Sequence, residues 1–167
     1  MTLSTATDTR RHIVGVADMK VAKGAGQLII THALGSCIGI AIHDPVAQVG
    51  GMLHYMLPDS TVNPGRADTN PYMFADTGIP IFLQRLYALG AVKSRLVVKV
   101  AGGAQFVDHK DFFAIGKRNY TAMRKIFWKE GLLCKGEHVG GTISRTLYLE
   151  IGSGRTWFTN SGQEVDL

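Results

Sequence analysis

The sequence predicts an α+β protein, with one or two mixed β-sheets and helices covering a face. Three observations carry this reading. Short β-branched runs recur along the chain, two stretches place apolar residues at helical spacing, and the two kinds of element alternate irregularly. The order is four strands, a helix, a strand, a helix and three strands, which departs from the regular βαβ alternation of a doubly wound sheet. Twenty glycines in 167 residues suit a fold of short strands, turns and close backbone approaches.

Taken in order, "HIVGVAD" and "QLIITHAL" read as the first two strands, and "CIGIAIHD" and "GGMLHYML" as the next two. The last pair is joined by "DPVAQVG", whose Asp-Pro start is a turn signal. "PDSTVNPGRADTNP", with three prolines, reads as a long surface loop. Asp76 is then placed to cap a helix carrying Ile79, Phe82, Leu83, Leu86 and Leu89, which ends near Gly90 and holds Pro80 early enough to tolerate it. "RLVVKVAGGAQF" is a strand running into a Gly-Gly turn. "NYTAMRKIFWKEG" is a helix with Ala122, Met123, Ile126 and Phe127 on one face and Gly131 as its stop. "LLCKGEHV", "SRTLYLEI" and "RTWFT" complete the strands.

Residues 1–11 are polar and offer almost nothing to bury, so a disordered tail is expected there, followed by a single domain over residues 12–167. The N-terminus lacks the apolar core of a secretory signal, and no stretch is long and apolar enough to span a bilayer. Two cysteines make no disulfide framework and no Cys/His spacing reads as a zinc site, so a cytoplasmic protein with reduced thiols, no metal and no membrane insertion is expected. The net charge of +5 favours an acidic partner. Its densest cluster, Lys110, Lys117, Arg118, Arg124 and Lys125, comes with no nucleic-acid module, and no nucleic-acid partner is expected.

The chemistry concentrates at Cys37. Gly35-Ser36-Cys37-Ile38-Gly39 places small residues on either side of a potential nucleophile, in a turn that lets backbone N–H groups converge on an oxyanion. If the chain reverses about Pro45 and Val46, strand pairing sets Cys37 opposite His54 on one side of the sheet. An imidazole there could take the thiol proton and stabilise the resulting ion pair. A third group must fix the imidazole tautomer, and Thr31, Asp44, Asp59 and Asn70 are all candidates. His32 and His43 are alternative bases, while Cys134, without a glycine turn, reads as structural. A buried free cysteine and a core histidine are the plainer readings of Cys37 and His54, and the residues alone do not choose.

At these residues the chain resembles the chemoreceptor glutamine deamidase family, CheD. "LGSC", "HDPVAQVGGMLHYMLP", "KVAGGAQF", "IGKRN" and "VGG" followed by Arg145 occur in the family's order and spacing, from Ile13 to about Phe158. The resemblance implies a pair of packed mixed sheets with flanking helices, like the catalytic domain of a toxin deamidase. It also implies a cofactor-free hydrolase of glutamine side chains on the cytoplasmic helices of chemoreceptors, working through a thioester. Cys37 would be the nucleophile, His54 the base and Thr31 its orienting group. The N–H of Cys37, in the Gly35-Ser36-Cys37 turn, would receive the oxyanion, with Gly102, Gly103, Arg118 and Asn119 in supporting or substrate-side places. A CheC-type phosphatase of the phosphorylated response regulator CheY is an implied partner. A non-catalytic module docking on that phosphatase is the rival reading.

Overall fold

The β-branched runs form ten strands in two five-stranded sheets, seen in a computed structural model that describes residues 9–106 and 114–167. In spatial order the first sheet contains β1 (Arg10–Val14), β3 (Gln27–Leu34), β8 (Arg145–Glu150), β9 (Thr156–Asn160) and β10 (Gln163–Asp166). The second contains β2 (Asp18–Lys23), β5 (Val49–Tyr55), β4 (Ile38–Asp44), β6 (Val97–Gly102) and β7 (Cys134–Val139). Both sheets are mixed: β1 runs parallel to β3 and β6 parallel to β7, and the other pairings are antiparallel.

The sheets pack face to face. Ile29, Leu147, Leu149 and Phe158 of the first meet Ala41, Met52 and Ala101 of the second in one buried cluster. Period-2 alternation sends Ile40, Ile42, Leu53 and Tyr55 to the opposite face, where they pack against two helices, α2 (Ala75–Ala88) and α3 (Ile115–Glu130). All seven residues of β4 and all seven of β5 are therefore buried, which explains why these strands read as nearly continuous apolar runs. Glycines let the sheets approach closely: a Cβ at Gly39 would lie 2.9 Å from the Leu34 side chain, and one at Gly50 would strike Ile151. This is the α+β sandwich with flanking helices that the sequence and the resemblance led us to expect.

Several expectations need correction. "HIVGVAD" is not one strand: the chain leaves the first sheet after Val14, turns through Ala17 at φ 55°, and enters β2 of the second sheet at Asp18. The Asp18 carboxylate closes this corner by accepting from the Gly15 N–H at 3.1 Å. The proline-rich loop contains a short helix, α1 (Pro64–Thr69), capped by the Asn63 side chain, and none of its residues is buried. Asp76 does not cap α2. The helix begins at Ala75, and the Asp76 carboxylate instead accepts from the N–H and hydroxyl of Ser60. Pro80 is thus interior to α2, and the acceptor it deprives is the carbonyl of Asp76, an exposed residue of the first turn. β10 lies beyond the last strand expected. Strand β1 takes in Arg10 and Arg11 of the expected tail, while its residues 1–8 and Lys110 of the basic cluster lie outside the described residues.

Candidate active site

Cys37 lies at the corner where the chain passes from β3 of the first sheet to β4 of the second. The corner is built by a bulge: pairing of β3 with β8 shifts between Thr31 and Leu34, and Ala33 takes the left-handed conformation at φ 58°. In the turn that follows, three successive carbonyls are held by donors from outside it. The N–H of Ala104 donates to the Gly35 carbonyl at 2.9 Å, and the N–H of Gly103 to the Cys37 carbonyl at 2.9 Å. Between them, Nδ2 of buried Asn119 donates to the Ser36 carbonyl at 2.9 Å. Gly102, at φ 117°, lies so close that any side chain there would run into the Cys37 carbonyl oxygen. Cys37 itself is half-buried and packs on the cluster between the sheets.

His54 reaches the same side from β5, though not in the register expected. The β4–β5 ladder sets Gly39, not Cys37, opposite His54. The reversal is centred one residue later because the Asp44 carboxylate accepts from the N–H groups of Val46 and Ala47, folding the loop back on itself. That moves each partner by two residues, which preserves the face. Met52 and His54 both point toward the first sheet, where Thr31 meets His54.

The Thr31 hydroxyl fixes the imidazole. Its single proton goes to the Val14 carbonyl at 2.8 Å, so toward His54 Nδ1, at 2.7 Å, the oxygen can only accept. Nδ1 therefore carries the ring proton, and Nε2 holds the free lone pair. Nε2 is buried and has no partner among the described residues. Burial depresses the imidazole pKa to about 4, against the opposing pull of Asp18, which pairs with His54 across the β2–β5 ladder. Burial also raises the Cys37 thiol, offset in part by its own backbone N–H. Both shifts favour the neutral thiol and the neutral imidazole.

The depressed imidazole has a measurable consequence. As pH falls from about 6.5 toward 4 the unfolded chain takes up a proton that folded His54 refuses, so stability declines over that window and levels below it. The expected loss is about 3 kcal/mol, read as the change in unfolding free energy in denaturant titrations at successive pH values. A His54→Gln variant should lack this component. A wild-type-to-variant difference that stays constant with pH would contradict the assignment.

The remaining candidates fall elsewhere. His32 is exposed on β3, and His43 is engaged with the Ile151 carbonyl at 2.7 Å, toward the far end of β4. Asp44 is clamped by Arg95 at 3.0 Å, Asp59 caps Thr61, and Asn70 binds the Ala17 carbonyl at 3.0 Å. Of the four proposed orienting groups, Thr31 alone is bonded to His54. Gly102, Gly103 and Asn119 all support the Cys37 turn, whereas Arg118 is exposed and lines a separate cleft with Pro58 and Asp76. Cys134 starts β7, its thiol directed to the Gly136 carbonyl at 3.2 Å. A cleft of about 410 Å³ opens beside Gly103, walled by Gln105, Lys117, Tyr120 and the 139–142 segment. Buried Arg145 shapes that segment by donating to the Gly140 carbonyl at 2.8 Å. Sequence reasoning missed Asp18 as a neighbour of His54, because only the β2–β5 pairing brings them together. No group of three or more potential metal ligands occurs among the described residues.

The two sheets thus set a thiol on a braced turn near one end of β4, and across the β4–β5 ladder an imidazole whose tautomer a hydroxyl of the other sheet fixes. Comparison with known proteins gives the family. A family model described as CheD chemotactic sensory transduction matches residues 56–160, beginning just after His54. A protein named probable chemoreceptor glutamine deamidase CheD from Solibacter usitatus is 57% identical over 93% of this chain and 92% of its own. One named probable chemoreceptor glutamine deamidase CheD 1 from Syntrophus aciditrophicus is 49% identical over 90% of this chain and 94% of its own. Among solved structures, the Neisseria meningitidis protein NMB0706 aligns with a TM-score of 0.44 at 12% identity, covering 80% of this chain and 63% of that one. This chain belongs to the CheD family.

Proposed function

We propose that this protein hydrolyses glutamine side chains of chemoreceptors to glutamate, releasing ammonia, and that Cys37, His54 and Thr31 carry the reaction. The observation that supports this most directly is Nε2 of His54, which has no partner among the described residues and whose lone pair the Thr31–Val14 relay leaves free, on the strand paired with the one that follows Cys37. The names of the relatives supply the substrate class.

In the proposed reaction, Cys37 Sγ attacks the carboxamide carbon while His54 Nε2 takes the thiol proton. The oxyanion forms against the N–H of Cys37. The imidazolium, stabilised by the nearby Asp18 charge, then returns its proton to the nitrogen as the C–N bond breaks and ammonia departs. Water attacks the thioester with His54 again as base, freeing glutamate and the thiol. No cofactor is required. The sandwich over residues 12–167 would work as one cytoplasmic deamidase domain. Among the described residues no helix is long and apolar enough to cross a membrane.

The test is peptide mass spectrometry of chemoreceptor cytoplasmic fragments incubated with the protein in ¹⁸O-water. Conversion of glutamine to glutamate, with one heavy oxygen incorporated and one ammonia released per event, is the expected result. Binding to such fragments or to a CheC-type phosphatase, with no glutamine converted, would favour a docking module instead.

A further inference from the structure

Asn119 has no part in the steps above, yet it sits where the oxyanion site is made. Its backbone is fixed by the Tyr55 hydroxyl, which donates to the Asn119 carbonyl at 2.7 Å. Its side chain is buried, and Nδ2 donates twice: to the Ser36 carbonyl at 2.9 Å and to the Met56 carbonyl at 2.8 Å. One amide group therefore ties the turn bearing Cys37 to the strand end two residues beyond His54.

The Ser36 carbonyl belongs to the same planar unit as the N–H of Cys37. In a trans peptide the two point in opposite directions, and no peptide in the described structure is cis. Asn119 lies on α3, outside the second sheet, whereas His54 faces inward between the sheets and Cys37 packs on the inner cluster. Drawing the Ser36 carbonyl toward α3 thus turns the Cys37 N–H to the side of the thiol and imidazole. The flanking carbonyls of Gly35 and Cys37 are held by Ala104 and Gly103, so backbone donors brace the neighbouring peptides, while the central one depends on a side chain. We propose that Asn119 is a positioning residue of the oxyanion site: by holding the Ser36 carbonyl it aims the Cys37 N–H at the carboxamide oxygen of the substrate.

This inference rests on the deamidase reading, and its test separates the two. Activity of the wild-type protein on receptor peptides decides the reading itself. Given that activity, Asn119→Ala should lower kcat about 100-fold with KM little changed, the loss expected when an oxyanion donor is misdirected. Alkylation of Cys37 by iodoacetamide needs no oxyanion site and should proceed at the wild-type rate. Asn119→Asp places an acceptor against two carbonyls. It should be equally impaired at neutral pH and recover part of its activity as acid restores a donating O–H. Wild-type kcat in the alanine variant, or a loss matched by slower alkylation and a lower melting temperature, would overturn the proposal.

Should neither variant fold, the wild-type protein decides by NMR. Reaction with a receptor peptide bearing a side-chain aldehyde in place of the glutamine amide should move the Cys37 amide proton downfield. The Asn119 side-chain protons should exchange slowly throughout. An unmoved Cys37 amide proton, or rapid exchange at Asn119, would count against the assignment.

Discussion

Cys37→Ala is expected to abolish glutamine hydrolysis, lowering kcat/KM by on the order of 10⁴-fold or more, and His54→Gln alone should be nearly as damaging. In the proposed mechanism the sulfur forms the thioester, and Nε2 is the acceptor for the proton of a thiol raised by burial. Because the two groups act in one step, the double variant should be no worse than the worse single one. Receptor-peptide mass spectrometry over long incubations gives the rates. Independent, multiplying losses would mean that His54 serves something other than the Cys37 thiol. Retention of activity within tenfold in His54→Gln would remove it from the mechanism.

The second large effect comes from a residue with no functional group. Gly102→Ala forces a side chain onto a backbone at φ 117° and into the Cys37 carbonyl oxygen. Strain of a glycine-only conformation and overpacking each cost about 1–3 kcal/mol, so a loss of about 4 kcal/mol and a fall in Tm of about 10 °C are expected. The turn is braced from this strand end by Gly103, so the variant should also lose about 100-fold in activity, as a displacement near 1 Å can cause. Circular dichroism melting and the peptide assay read the two effects. An unchanged Tm would show that the Cys37 turn yields freely and is not held by its neighbours.

Much of this architecture was legible in the sequence, and each exception has its own physical cause. Strands β3 to β6, β8 and β9 announce themselves through β-branched and aromatic runs, and Gly131 ends α3 in the left-handed conformation its identity suggested. By contrast, α1 buries nothing and every residue of β10 is exposed, so neither carries a hydrophobic signal. The start of α2 was misread because Asp76 prefers Ser60, a partner sixteen positions away. At the site, the spacing of Cys37 and His54 pointed to one face of a hairpin. Local turn chemistry at Asp44 set a register two residues from the one expected. Thr31 could not be separated from Asp44, Asp59 and Asn70, since the choice depends on how two sheets dock. The Asn119 link to Ser36, 83 positions distant, is equally beyond any local pattern.

Thr31 belongs to one sheet, whereas His54 and the strand that follows Cys37 belong to the other. Neither layer by itself carries a working set. A nascent or partly melted chain would expose a thiol and an imidazole free to take either tautomer, with little power to attack an amide. Under the proposed mechanism, competence requires both layers to be closed, so that the hydroxyl meets the ring. A protein whose work is to alter glutamines on other chains would gain from such a safeguard, being harmless until its own folding is finished.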